Sequence, residues 1–198
     1  MGWDINFYRM DFERLLTLHG CRDERLLRQL VSSYGLDEPD ELDDDDDDYE
    51  EGEAPVPVKE ALRTILFKGE LDDAQALRYG DAMAIVFQAC AAEYIGDLRV
   101  AAFGITSFFT AVDAALAERG FPGYLSNLVM GGTPLDVPVE TDGALGFLLP
   151  SDCERFAREY ERHQWDLADS GLKTTIEDLR RWCTAAARHG HGLVSVGG

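Results

Sequence analysis

Residues 3–9, WDINFYR, decide the fold class of this chain. The apolar residues Trp3, Ile5 and Phe7 alternate with the polar residues at positions 4 and 6. This alternation predicts a strand with one buried face. Residues 144–149 (ALGFLL) and 193–196 (LVSV) predict two further strands. Since most of the remaining chain has helical spacing, the sequence predicts a helix-rich α+β single domain over residues 1–198, with a small mixed sheet.

Helical segments surround these strands. Apolar residues at helical spacing predict helices over 11–18, 23–34, 57–66, 72–95 and 105–119, and two more that begin near Pro150 and Thr174. Asp23 is a predicted cap, and Ser151 with Glu154 and Thr174 with Glu177 have the spacing of capping boxes. The Pro- and Gly-rich residues 121–141 predict short extended pieces at 125–130 and 135–139. The run 82–95, with only Gln88 and Glu93 polar, predicts a central helix.

The bulk composition is that of a soluble, cytoplasmic protein. The 198 residues suit one domain, and no apolar run approaches the roughly 20 residues needed to cross a bilayer. The N-terminal residues do not have the pattern of a signal peptide. The four cysteines form no CxxC pair, which favours buried, reduced thiols. Arginine far outnumbers lysine and alanine is abundant, a bias that indicates a bacterial source.

An acidic segment supplies most of the net charge of −20. Residues 37–53 hold 13 acids and no base, and without them the chain has 25 acids against 18 bases. The surrounding residues 36–56 contain too few apolar side chains to offset the entropy of ordering, so we predict a disordered insertion within the domain. A linker after a small N-terminal piece is the alternative. A chain this negative repels phosphates, which argues against direct nucleic-acid binding and against binding to anionic membranes.

The acidic segment is the candidate partner-binding site. A dense anionic tract attracts a basic protein, and salt weakens that attraction. A solvated spacer is the other interpretation. Asp43, Asp45 and Asp47 match the first ligand positions of a calcium-binding loop, but Asp48 and Ala54 replace the glycine and glutamate that such a loop needs. The predicted partner-binding residues are Asp43, Asp44, Asp45, Asp46, Asp47, Asp48, Glu50 and Glu51.

No complete catalytic or metal-binding motif is present in the sequence. His189 and His191 are not spaced like a structural zinc site, so we interpret His189 as a helix-terminal cation and His191 as a surface residue. Ser195 does not fit a nucleophile elbow and is predicted to be an ordinary strand residue. The three tryptophans are interpreted as core or core-edge residues. We therefore predict no cofactor and no metal, and the sequence gives no indication of the oligomeric state.

Three features in order resemble a known family. They are the opening MGWDINFYRMD, the helical core followed by GALGFLLP, and a Trp-bearing helix that runs into HGLVSVG. Together they resemble the YfbM-like family of bacterial domains of unknown function and its actinobacterial relatives. The resemblance implies an α+β fold and defines no catalytic residue.

Two classes of function remain open. The first is a non-catalytic binding or regulatory protein, of immunity type for example, that engages a basic protein partner. The second is a small hydrolase-type enzyme acting on a polar metabolite, with Cys90 or Cys153 paired with His163, or with a carboxylate pair, as its catalytic groups.

Overall fold

The structure, a computed structural model, describes residues 2–36, 56–101, 105–167 and 169–197. These residues form four strands, eight α-helices and two short 3₁₀ turns, at Asp73–Gln75 and Tyr160–Arg162. The strands and helices are, in chain order, β1 (Gly2–Met10), α1 (Phe12–Leu18), α2 (Glu24–Ser33), α3 (Val58–Phe67), α4 (Ala76–Cys90), β2 (Ala91–Ala101), α5 (Ile105–Ala117), α6 (Tyr124–Met130), β3 (Ala144–Leu148), α7 (Pro150–Glu159), α8 (Ser170–Ala187) and β4 (Gly192–Gly197).

The four strands form one sheet in the order β2-β1-β4-β3. The predicted α+β class and all three predicted strands are confirmed. The prediction of a mixed sheet is wrong, because every pairing between the described strands is antiparallel. β1 and β4 occupy the centre, and Ile5 pairs with Gly197.

The strand β2 corrects the prediction of a helix over 72–95. The helix α4 ends at Cys90, and the chain turns directly into β2 at Ala91. β2 then runs antiparallel to β1, with shifts in register between Phe7 and Tyr8 and between Arg9 and Met10. Gly96 is required in this strand, because a Cβ atom there would lie 2.7 Å from Nε1 of Trp182, which stacks on Phe7.

Helices cover both faces of the sheet and give two hydrophobic clusters. Ile5 and Phe7 of β1 face the cluster built with α5–α8, whereas Met10 faces the cluster built with α1–α4. β4 contributes to both, with Leu193 on the first side and Val194 on the second. The alternation of side chains along a strand produces this division, because successive residues point to opposite faces.

Several helix boundaries differ from their predictions. The residues 125–130, predicted to be extended, lie in α6, and 135–139 form no strand. The carboxylate of Asp152, and not the predicted Ser151–Glu154 pair, closes the start of α7 by accepting from the backbone N of Leu149. α8 begins earlier than predicted, because Asp169 caps it by accepting from the backbone N of residues 171 and 172. The predicted cap at Asp23 is confirmed.

Three of the four cysteines are buried, as predicted, and Cys21 is exposed, which corrects the prediction for that residue. No helix within the described ranges is both long enough and apolar enough to span a membrane.

Candidate partner-binding cleft

The predicted partner-binding residues, Asp43 to Asp48, Glu50 and Glu51, lie outside the described residues, as does most of the predicted insertion 36–56. The two residues that flank the undescribed part are Leu36 and Val56, and both pack against the cluster built with α1–α4. The backbone N of Val56 donates to Oε1 of Gln75 at 2.9 Å. Val56, which precedes α3 in the chain, is therefore anchored beside Gln75, the residue that precedes α4.

A surface opening, which we call the acidic cleft, lies near this point. Leu77, two residues after Gln75, is part of its lining. Its volume is about 470 Å³, within the range of roughly 300–1,000 Å³ that is usual for ligand pockets. Its walls come from β1, α4, the end of α6, and the segment that leads into β3. The lining residues are Trp3, Leu77, Met130, Gly132, Val139, Glu140, Thr141, Asp142, Gly143 and Leu145.

The segment 139–143 forms one rim of the acidic cleft and is seated on α4. The backbone N of Glu140 donates to the carbonyl oxygen of Ala76 at 2.9 Å. A Cβ atom at Gly80 would lie 1.9 Å from the carbonyl oxygen of Glu140, so the rim touches the helix where α4 has no side chain. On the other side, the backbone N of Gly132 donates to the carbonyl oxygen of Leu145 at 2.9 Å. These contacts hold the rim without a ligand.

The acidic cleft combines exposed apolar side chains with unopposed carboxylates. Leu77 is 42 % exposed and Met130 is 55 % exposed, whereas most of the large apolar residues that the structure describes are buried. Glu140 and Asp142 are exposed beside them, and no lysine, arginine or histidine is among the described residues that line the opening. Such a surface can bury an apolar side chain while a neighbouring cation meets the carboxylates.

A second opening, of about 450 Å³, lies between β2 and α8. Its three carboxylates already have partners. Oε2 of Glu93 lies 3.2 Å from Nη2 of Arg9, and Asp97 accepts from the hydroxyl of Tyr94 at 2.8 Å. Asp178 pairs with Arg181. The hydrogen bond to Asp97 is the main reason that the pKa of Tyr94 is raised. The carboxylates of this opening are therefore more fully paired than those of the acidic cleft.

The third opening, of about 400 Å³, contains both C-terminal histidines together with Asp11 and Glu13. The pKa of His191 is lowered, first by burial and then by the charge of Arg9, so its imidazole is neutral at neutral pH. His191 is half-buried and lines this opening, while its Nδ1 atom is buried and has no hydrogen-bond partner among the described residues. His189 is exposed. Within the described ranges, no group of three His, Cys, Asp or Glu side chains is arranged to hold a metal ion.

The structure does not assemble the candidate catalytic residues in any of the openings described above. His163 packs against the rings of Phe121 and Trp165. Cys153 instead lies against the thiol of Cys183, and burial raises the pKa of Cys183 well above 9.0. Burial likewise raises the pKa of Cys90 to about 11. A raised pKa keeps a thiol protonated and a poor nucleophile. None of the three openings is lined by Cys90, Cys153 or His163.

The structure also places the other residues that the sequence analysis considered. Gln88 and Glu93 are both exposed to solvent. Ser195 is a fully buried strand residue, as predicted, and its hydroxyl donates to the carbonyl oxygen of Leu128. Trp3 is a core-edge residue, as predicted, because it packs against the cluster built with α5–α8, but it also lines the acidic cleft.

The acidic cleft was not predicted from the sequence. Its residues come from four separate parts of the chain, and each resembles an ordinary element in isolation. Leu77 continues an apolar helix, and Met130 belongs to a stretch predicted to be extended. The only sequence signal is the pair of acids, Glu140 and Asp142, in a segment rich in proline and glycine.

The fold and this site define a helix-rich α+β domain whose antiparallel sheet lies between two helical layers, with an acid-rimmed apolar opening on its surface. The chain belongs to the family described as domain of unknown function (DUF7691), whose model matches residues 1–197. No curated protein and no solved structure gives a significant match. The family match agrees with the broad part of the resemblance noted above, namely a domain of unknown function.

Proposed function

We propose that this protein is a non-catalytic binding protein that engages a basic protein partner. One observation carries the proposal: carboxylates outnumber permanent cations in all three described openings. The acidic cleft has Glu140 and Asp142 against no base among the described residues, and the β2–α8 opening has three carboxylates against Arg181 and the Arg9 that pairs with Glu93. The third has Asp11 and Glu13 against two histidines, of which His191 is neutral.

The overall charge supports the same partner class. At a net charge of −20, the protein attracts a basic surface over a distance set by the ionic strength and repels polyanions. The acidic segment, including Asp43 to Asp48, Glu50 and Glu51, supplies most of this charge. Nucleic acids and anionic membranes are therefore not the partners that we propose.

The state of the thiols favours binding over a small hydrolase-type enzyme. An enzyme of that kind needs an accessible nucleophile near a base, whereas Cys90 and Cys153 are buried and neither they nor His163 line a described opening. The proposal has four further parts. They are a regulatory role of immunity type, a cytoplasmic location, a bacterial origin and kinship with the YfbM-like family.

Binding of labelled peptides to the full chain tests the proposal. Fluorescence anisotropy is measured for peptides of equal length composed of Lys and Ser, of Gly and Ser, or of Glu and Ser, and for a single-stranded DNA. The Lys/Ser peptide should bind, and its affinity should fall as salt rises, because the attraction is electrostatic. The other three ligands should not bind.

A matched variant separates the acidic segment from the rest of the surface. Six Asp→Asn changes at residues 43–48, with Glu50→Gln and Glu51→Gln, remove charge but keep the length of the chain. We expect weaker binding of the Lys/Ser peptide and a shallower dependence on salt. Equal binding of the Lys/Ser and Gly/Ser peptides by the parent protein, or tight binding of the DNA, would refute the proposed function.

A further inference from the structure

We propose that the acidic cleft is the docking site for this partner, and that it takes a segment in which a bulky apolar side chain is flanked by lysine or arginine. This inference rests on the proposed function and specifies where and how the partner binds. It also identifies five residues of the docking site, which are Trp3, Leu77, Met130, Glu140 and Asp142.

The apolar part of the site argues for an apolar side chain in the partner. Leu77 and Met130 expose 42 % and 55 % of their surface, although folding would normally bury such residues. They face one opening of about 470 Å³ together with Trp3. A side chain that enters this opening removes apolar surface from water on both partners, which is the main source of affinity at protein interfaces.

The charge of the rim argues for cations beside that side chain. Glu140 and Asp142 are exposed at the opening, and its lining contains no base within the part of the chain that the structure describes. Arg78, which follows Leu77 in α4, is paired with Asp81 at 3.4 Å. A lysine or arginine of the partner would therefore meet carboxylates that no lining base neutralises.

The connection to the acidic segment reinforces this choice. Val56, which directly follows the undescribed residues, is hydrogen-bonded to Gln75, and Ala76 holds the rim through Glu140. Three consecutive residues, 75 to 77, thus link Val56, the rim and the apolar floor of the cleft. A basic partner drawn by the acidic segment arrives next to the opening.

The same charges argue against other occupants. A second copy of the chain would bring a further charge of −20 to an acidic rim, and the two copies would repel each other. Nucleic acids are repelled for the same reason. The rim is also held in place by its hydrogen bonds to α4 and by close packing at Gly80, so the site is formed before binding.

Two peptides of equal charge test the inference. One contains Lys and Leu, the other Lys and Ser, and both are titrated against the full chain at moderate salt. The Lys/Leu peptide should bind more tightly to the parent protein. In the variant Leu77→Ser/Met130→Ser this preference should fall about tenfold, because one apolar side chain no longer finds an apolar surface.

Matched controls exclude a general loss of apolar or charged surface. Leu16→Ser changes a residue that is 54 % exposed, close to the 55 % of Met130, on α1 and outside the cleft. Its effect on binding should be negligible. Glu140→Gln/Asp142→Asn should weaken both peptides, and more than Glu118→Gln/Glu161→Gln, which removes two carboxylates exposed by 75 % and 77 % elsewhere. Unchanged circular dichroism and unfolding midpoints show that each variant is folded.

The outcomes separate the inference from the proposed function. If the parent protein binds neither basic peptide, the proposed function fails and the docking site fails with it. If both basic peptides bind and the cleft variants behave like their controls, the docking site is wrong while the proposed function stands. A dimer of the parent protein that Met130→Ser dissociates, measured by sedimentation, would also overturn the inference in favour of a second copy.

Discussion

Replacing Gly80 with alanine should destabilise this protein, although the same change stabilises most helices. Gly80 lies inside α4, where alanine is favoured over glycine by about 1 kcal/mol. However, the new Cβ atom would lie 1.9 Å from the carbonyl oxygen of Glu140. An unstrained contact is about 3.5 Å, so the two atoms must separate by roughly 1.5 Å.

The cost of that separation exceeds the gain in helix propensity. The obstructing atom belongs to the backbone of the rim, which cannot rotate away as a side chain would. Overpacking of this kind costs about 1–3 kcal/mol, and the bond from Glu140 N to Ala76 O is worth about 1 kcal/mol. After the gain in propensity is subtracted, the free energy of unfolding should fall by about 1–3 kcal/mol.

Urea unfolding followed by far-ultraviolet circular dichroism measures this change. Gly171→Ala in α8 is the matched control, because the nearest atom to its new Cβ is the capping Oδ1 of Asp169 at 3.2 Å, so a shift of a few tenths of an ångström relieves the contact and keeps the cap. Its effect should stay within about 0.5 kcal/mol. A Gly80→Ala protein as stable as its parent would show that the rim is not seated on α4. The variant should also bind the Lys/Leu peptide less tightly, since its rim is displaced.

Three further results are expected. Ser195→Ala should lower the free energy of unfolding by about 1–3 kcal/mol in urea, because the buried carbonyl of Leu128 loses its donor; an unchanged midpoint would contradict this. Stability should fall from pH 9 to 11, since burial raises the pKa of Cys90 from 9.0 to about 11 and the unfolded chain loses this thiol proton first. Cys90→Ala should flatten that decline, and an equally steep decline in the variant would exclude this cause. In native protein only Cys21 should react rapidly with a thiol reagent, and Cys21→Ser should abolish the rapid phase; a surviving rapid phase would mean that a buried thiol is accessible.

The strand β1 was predictable because its alternation separates two faces within a few residues. The strand β2 was not, since α4 passes into it through alanines that suit a helix as well as a strand. The residues Ala82 to Ile95 contain no glycine or proline to mark the boundary at Cys90. What decides the boundary is pairing with β1, a long-range contact that local periodicity does not contain.

The candidate site was less predictable than the fold. The acidic segment is visible in the sequence, but nothing local indicates that Val56, which follows it, bonds to Gln75 or that Glu140 stands over Gly80. Both contacts join residues far apart in the chain. The sequence alone therefore suggests a class of partner, which stays a proposal, whereas the proposed place of contact depends on the tertiary structure.

The central position of β1 and β4 in the sheet has a consequence for biosynthesis. Ile5 is translated before every helix described here, whereas its neighbour in the sheet, Gly197, is translated after all of them. Until then, β4 cannot shield the middle of the sheet, and a nascent chain would display the apolar face of β1. Pairing across so long a stretch of sequence also slows folding. Newly made copies should thus depend on chaperones until translation has passed residues 192–197.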